Sequence, residues 1–147
     1  MVCKIGMIEN YSLFSSGIKT ILEFANENVF VGLGGDAREL KNSLNGTIPD
    51  IILIDVLHSR NAGIEEIKNV RKTFPQIPFL LIAAQDCSEC FQDYLNSGAK
   101  GIVFATDKME ELINAVQLIC NGKEYFSGAI AKNRNNGLES APKLTRP

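Results

Sequence analysis

Ile51-Ile52-Leu53-Ile54-Asp55 is a run of four apolar residues closed by one carboxylate. An uninterrupted apolar run this short reads as a strand covered on both faces, the kind that parallel sheets contain. Phe79-Leu80-Leu81-Ile82-Ala83 and Gly101-Ile102-Val103-Phe104 have the same character, and Lys4-Ile5-Gly6-Met7-Ile8 and Val29-Phe30-Val31 complete the strand candidates. Stretches of helical spacing separate them. The first runs from about Ser12, a plausible N-cap, to Ala25, with Leu13, Gly17, Ile18, Ile21 and Leu22 inward. The second runs from Asp36 to Leu44, with Asp36 and Glu39 spaced as in a capping box. The third covers Gly63 to Phe74, turns Ile64, Ile67 and Val70 inward and is closed by Pro75 and Pro78. The fourth covers Asp86 to Ser97 and stops at Gly98, a favourable C-cap residue. The fifth covers Asp107 to Asn121, with Met109, Leu112, Ile113, Val116 and Ile119 inward.

Strands alternating with helices predict an α/β fold, a parallel sheet with helices on both faces. For this size the expected form is a flavodoxin-like, doubly wound (βα)5 domain with sheet order 2-1-3-4-5. Its switch point lies between strands 1 and 3, and ligands of such sheets bind outside the carboxyl ends of the strands. That edge gathers Glu9, Asn10 and Asp55, with Ala83 and Ala105 ending strands 4 and 5.

The bulk properties narrow the class. A chain of 147 residues holds one domain with a full core. Hydrophobic residues make up 45% and charged residues 22%, and the formal net charge of -2 gives no overall basic field for nucleic acid or an anionic membrane. No apolar run approaches the roughly 20 residues of a membrane span, and the N-terminus lacks a signal-peptide pattern, so the expected location is cytoplasmic. Cys3, Cys87, Cys90 and Cys120 are too few and too scattered for a disulfide scaffold. Cys87-Ser88-Glu89-Cys90 lacks the second pair a zinc site needs, so these read as two incidental helix cysteines. His58 reads as a solvated loop histidine. Gly32-Leu33-Gly34-Gly35 follows strand 2 instead of strand 1 and lacks dinucleotide spacing. From about Asn133 the chain is rich in Asn, Gly, Ser, Pro and Lys, which reads as a linker. The predicted boundary separates a domain over 1–130 from a linker over 131–147.

The order and spacing of these residues resemble the receiver domain of two-component response regulators over about residues 3 to 130. Glu9-Asn10 stands where that family carries an acidic pair after strand 1. Asp55 ends strand 3, with Gly63 eight residues on before a helix. Ser97-Gly98-Ala99-Lys100-Gly101 leads into strand 5. This run, Gly122-Lys123-Glu124-Tyr125-Phe126-Ser127 and the terminal Leu144-Thr145-Arg146 resemble the subfamily whose receivers precede a LuxR-type helix-turn-helix. The resemblance implies a non-enzymatic signalling module, a phosphoacceptor at Asp55 served by a histidine kinase, and Mg2+ held by Glu9, Asn10 and Asp55. It also implies a homodimer, through helix 4, strand 5 and helix 5 or through helices 1 and 5, and DNA contact only through a C-terminal domain beyond this chain. No membrane partner is expected.

The sequence departs from the family pattern residue by residue. Glu9 keeps a carboxylate one methylene longer, whereas Asn10 loses the charge, and Mg2+ favours charged oxygens. Ala83 stands at the hydroxyl position that binds phosphoryl oxygens, and Ala105 at the lysine position. Ile102 replaces the aromatic reporter. A charge-assisted hydrogen bond is worth roughly 1.5–3 kcal/mol, so losing both partners removes about 2–5 kcal/mol from the preference for a phosphorylated active state. The expectation is a receiver that works by dimerisation with weakened or lost phosphorylation control. The alternatives are a working Mg2+-dependent phosphoacceptor at Asp55 and a small flavodoxin-like enzyme or cofactor binder. The last is disfavoured because no phosphate-cradling Gly-rich loop follows strand 1.

Overall fold

In a computed structural model, the structure describes residues 2–9, 13–57, 61–84 and 91–127. The elements run β1 (Cys3–Ile8), α1 (Leu13–Phe24), β2 (Asn28–Gly34), α2 (Ala37–Leu44), β3 (Ile51–Asp55), α3 (Asn61–Thr73), β4 (Phe79–Ala83), α4 (Phe91–Leu95), β5 (Gly101–Phe104), α5 (Met109–Cys120) and β6 (Tyr125–Phe126). The sheet order is β2-β1-β3-β4-β5-β6, and every pairing is parallel. The predicted doubly wound order is present, with one strand more than expected. Tyr125–Phe126 pairs with Gly101 and Ile102 and covers the β5 edge. Gly101 permits that approach, because a Cβ there would collide with the Tyr125 carbonyl and stand 2.8 Å from Ile119 Cδ1.

The central strands are buried because successive side chains feed opposite layers. Ile51 and Leu53 of β3 face one way, with Ile5, Met7, Leu80, Ile82 and Val103, against Ile18 and Leu22 of α1 and Leu112, Val116 and Ile119 of α5. Ile52 and Ile54 face the other way, with Leu81 and Ile102, against Leu40 of α2, Ile67 and Val70 of α3 and Tyr94 of α4. All four apolar residues of β3 are 0% exposed. Each such side chain contributes about 1.5–3 kcal/mol by leaving water.

Several helix readings need correction. Leu13 is 90% exposed and Gly17 is also exposed, so the inner face of α1 is Ser15, Ile18 and Leu22. Met109 is exposed too, at the first position of α5. Asp107, expected to open the fifth helix, lies before α5, which begins at Met109. Its Oδ2 accepts the Phe104 N–H at 2.8 Å and braces the turn after β5, while Lys108 occupies the cap without a side-chain bond. The α2 cap is as expected: Asp36 Oδ1 accepts the Glu39 N–H at 2.9 Å, and Glu39 Oε1 accepts the Gly35 N–H at 2.8 Å. The N-cap assigned to Ser12 and the first part of the predicted fourth helix lie outside the described residues, as do Cys87, Cys90 and His58. The cysteine reading missed one bond: Cys3 and Cys120 form a disulfide with a Cα–Cα distance of 6.6 Å, tying β1 to the end of α5. Strand order brings these distant residues together, and spacing along the sequence does not report it.

Candidate functional site

The carboxyl edge of the sheet is built by register. Ile8 pairs with Ile54 and Asp55 with Ile82, so Glu9 and Asp55 stand level at the ends of β1 and β3, and Ala83 follows one residue further on at the end of β4. Ala83 pairs with Phe104, and the Ala105 N–H donates to the Ala83 carbonyl at 2.9 Å, which sets Ala105 beside it. The edge predicted from sequence is thus assembled for Glu9, Asp55, Ala83 and Ala105. Asn10 lies outside the described residues.

Asp55 is half-buried at the end of β3. Its Oδ1 accepts the Leu57 N–H at 3.0 Å, the local bond a carboxylate makes two residues ahead in a turn. Its Oδ2 accepts the Ser15 hydroxyl at 3.3 Å. Ser15 is 0% exposed and is carried by α1 over the sheet edge. The sequence reading missed Ser15. The available signal was the spacing of Ser15, Ile18 and Leu22, which places a hydroxyl on the buried helix stripe.

Glu9 is 6% exposed, and its N–H donates to the Gly34 carbonyl at 2.9 Å, so the backbone fixes it beside Asp55. Ala83 is fully buried, Ala105 is half-buried, and Ile102 is 0% exposed within the β5 core. Neither alanine side chain offers a hydroxyl or a cation to an anion held at Asp55.

Mg2+ commonly takes one or two protein carboxylates and completes its shell with water and phosphate oxygens. Glu9 and Asp55 supply two carboxylates on adjacent strands, which fits that habit. Among the described residues no group of three or more His, Cys, Asp or Glu converges as a metal site. Chemically, the edge presents a half-exposed carboxylate with a second carboxylate beside it and apolar flanks.

Residues 5–117 match the family model described as "Response regulator receiver domain". Receiver domains of transcriptional regulators are generally not enzymes, and receivers generally bind Mg2+ at the phosphorylation site. The chain is similar to the transcriptional regulatory protein MctR of Rhizobium johnstonii, at 24% identity over 84% of this chain and 58% of the relative. It therefore spans little more than half the length of that curated relative. A LuxR-family two-component response regulator from Aurantimonas has a similar structure, with TM-score 0.80 and 22% identity over 93% of this chain and 98% of that one. So does RcsB in a structure of two dimers bound to two parallel DNAs, with TM-score 0.78 and 20% identity over 99% and 72% of the two chains. At these identities the structural likenesses establish the fold. Among the described residues no helix is long and apolar enough to cross a membrane.

Proposed function

The chain belongs to the response-regulator receiver domain family, and from that premise we propose that it is the receiver module of a transcriptional regulator, acting by pairing with a second copy, with phosphorylation control at Asp55 weakened or lost. The observation that carries this reading is the company Asp55 keeps. Ala83 and Ala105 occupy the neighbouring strand ends, and both carboxylate oxygens accept bonds from within the domain. An aspartyl phosphate formed there lacks the hydroxyl and the ammonium that would hold its oxygens. Ile102, packed in the core, cannot report the change as an aromatic ring would.

Glu9 and Asp55, with the Asn10 oxygen, would hold Mg2+ at lower affinity than a fully acidic set. When bound, the ion would neutralise charge on a transferring phosphoryl group. The chain's own contribution is to position Asp55 through Ser15 and the Leu57 N–H.

The RcsB dimers on DNA and the regulator MctR support a homodimer that works with a DNA-binding domain. Residues 131–147 would serve as the linker between the two, and a histidine kinase as the phosphate source. On α5, Lys108, Glu110, Asn114 and Gln117 are exposed and available to a partner. Glu111 is half-buried and accepts the Tyr125 hydroxyl at 3.0 Å.

The test is to treat the protein and its Asp55→Asn variant with acetyl phosphate and Mg2+, reading intact mass and sedimentation. The expected outcome is little or no phosphorylation and a dimer population indifferent to phosphodonor and metal. Efficient modification of Asp55 with a shift toward dimer would overturn the proposal. It would establish instead the second reading, a working phosphoacceptor, which the half-exposed Asp55 beside the Glu9 carboxylate favours.

A further inference from the structure

At the end of the sheet opposite Asp55 lies a groove of about 750 Å³. Lys68, Arg71 and Lys72 reach it from the last turns of α3, Lys100 from the residue before β5, and Lys123 from the loop after α5. Ten described residues are Lys or Arg, and these five are half of them, in a chain whose net charge is -2. None of the described Asp or Glu residues lines the groove. Among the described residues, the ion pair found in this group is Lys68 with Glu65 at 3.6 Å, largely exposed on both sides. Bringing like charges together from three separate segments opposes folding, and violations of this kind mark functional surfaces.

The floor is apolar: Phe74, Pro75, Ile77, Phe79 and Ile119 line it. Arg71 passes over Gly98: a Cβ there would stand only 3.4 Å from its Nε and Cζ. Gly98 has φ +93°, a conformation that favours glycine and keeps that surface bare. The volume falls within the roughly 300–1,000 Å³ of small-molecule sites. A cationic rim with an Arg fork suits phosphate oxygens, and an apolar floor with a phenyl ring suits a flat ring system. An extended polyanion such as duplex DNA would meet a chain of net negative charge beyond the groove.

We propose that this groove binds a small organic polyphosphate with a flat ring, of the nucleoside polyphosphate class. It is a second ligand site, separate from the carboxyl edge and independent of whether Asp55 is phosphorylated.

ATP, in EDTA to keep divalent ions from Asp55, is titrated into the full-length protein and followed by amide resonances. Shifts are expected at Arg71, Gly98, Lys100 and Lys123, with no change around Asp55 and Ala83. Arg71→Glu combined with Lys100→Glu should weaken ATP by about tenfold or more. Arg38→Glu combined with Lys41→Glu, the same change in net charge on α2, should leave it nearly unaltered, with circular dichroism confirming that both variants fold. Tripolyphosphate and adenosine alone should each bind about tenfold more weakly than ATP. Absence of groove shifts at millimolar ATP overturns the proposal, as does equal weakening by the α2 pair. It fails equally if tripolyphosphate matches ATP, or if duplex DNA or polyglutamate binds the groove more tightly than ATP.

Discussion

Both carboxylate oxygens of Asp55 have donors within the domain, and the two donors differ in kind. The Leu57 N–H is two residues away and comes with the turn itself, whereas the Ser15 hydroxyl comes from α1, 40 residues away in sequence. Ser15→Ala should therefore cost about 1 kcal/mol, the net worth of one hydrogen bond, read as a lower urea midpoint. An unchanged midpoint would mean that the 3.3 Å contact contributes nothing. A second prediction concerns the lost cation. Ala105 is half-buried at the strand end, so a lysine there can carry its ammonium toward the edge without overpacking the core, whereas fully buried Ala83 has no room for a larger side chain. Ala105→Lys should add one charge-assisted bond of about 1.5–3 kcal/mol to an aspartyl phosphate. The phosphorylated fraction under a small phosphodonor and Mg2+ should then rise roughly ten- to hundredfold by intact mass. No gain would show that the absent lysine is not what limits Asp55.

Two helices depend on residues outside themselves. The Ala37 N–H, at the first turn of α2, donates to Glu66 Oε2 of α3 at 3.0 Å, alongside the Asp36 cap. Burial pushes the Glu66 carboxyl above its ordinary value of 4.5, the Ala37 bond pulls it down, and the Asp36 charge pushes it up again. A folded-state pKa that is raised means that the folded protein holds the proton more tightly than the unfolded chain. The associated stability is present below pH 4.5 and is lost as pH rises through the raised value. Glu66→Gln, which keeps an acceptor for Ala37 and removes the charge, should flatten that fall in thermal melts taken upward from pH 4.5. The same slope in both proteins would remove Glu66 as its source. At the other side of the sheet, Tyr125 of β6 donates to Glu111 of α5 at 3.0 Å. Burial, this hydrogen bond and the charges of Glu111 and Asp107 push the phenol up to about 12. The latch is thus complete below pH 10 and is lost as pH rises through about 12. Tyr125→Phe should cost about 1 kcal/mol at neutral pH and blunt the alkaline loss, measured by urea unfolding at both pH values.

Over the whole molecule, legibility follows burial. β3, β4 and β5 match their sequence readings because strands covered on both faces must be apolar throughout. β2 runs on to Gly34 beyond the Val29–Val31 expected, since Gly32 is needed where a Cβ would stand 2.6 Å from Leu44 Cδ2, and glycine in sequence reads as a turn. β6 has only two residues and no periodicity to read. At the candidate site Asp55, Glu9, Ala83 and Ala105 were legible because each ends or follows a strand, while Ser15 was hidden in a helix whose apolar end residues pointed the wrong way. The Cys3–Cys120 bond was hidden for a related reason: it joins residues separated by 117 positions, and only the fold makes them neighbours. That separation gives the bond its weight. A cross-link closing almost the whole domain into a loop removes much of the freedom of the unfolded chain, with typical effects of about 2–4 kcal/mol. Adding a phosphine reductant should lower the unfolding free energy by about that amount, shifting the denaturant midpoint with the fold intact at low denaturant. Cys3→Ser should show the lower midpoint without reductant and no further response to it. If reductant moves neither protein, the pair is not bonded in solution, and the apolar layer that β1 and α5 share holds the two ends of the domain together without it.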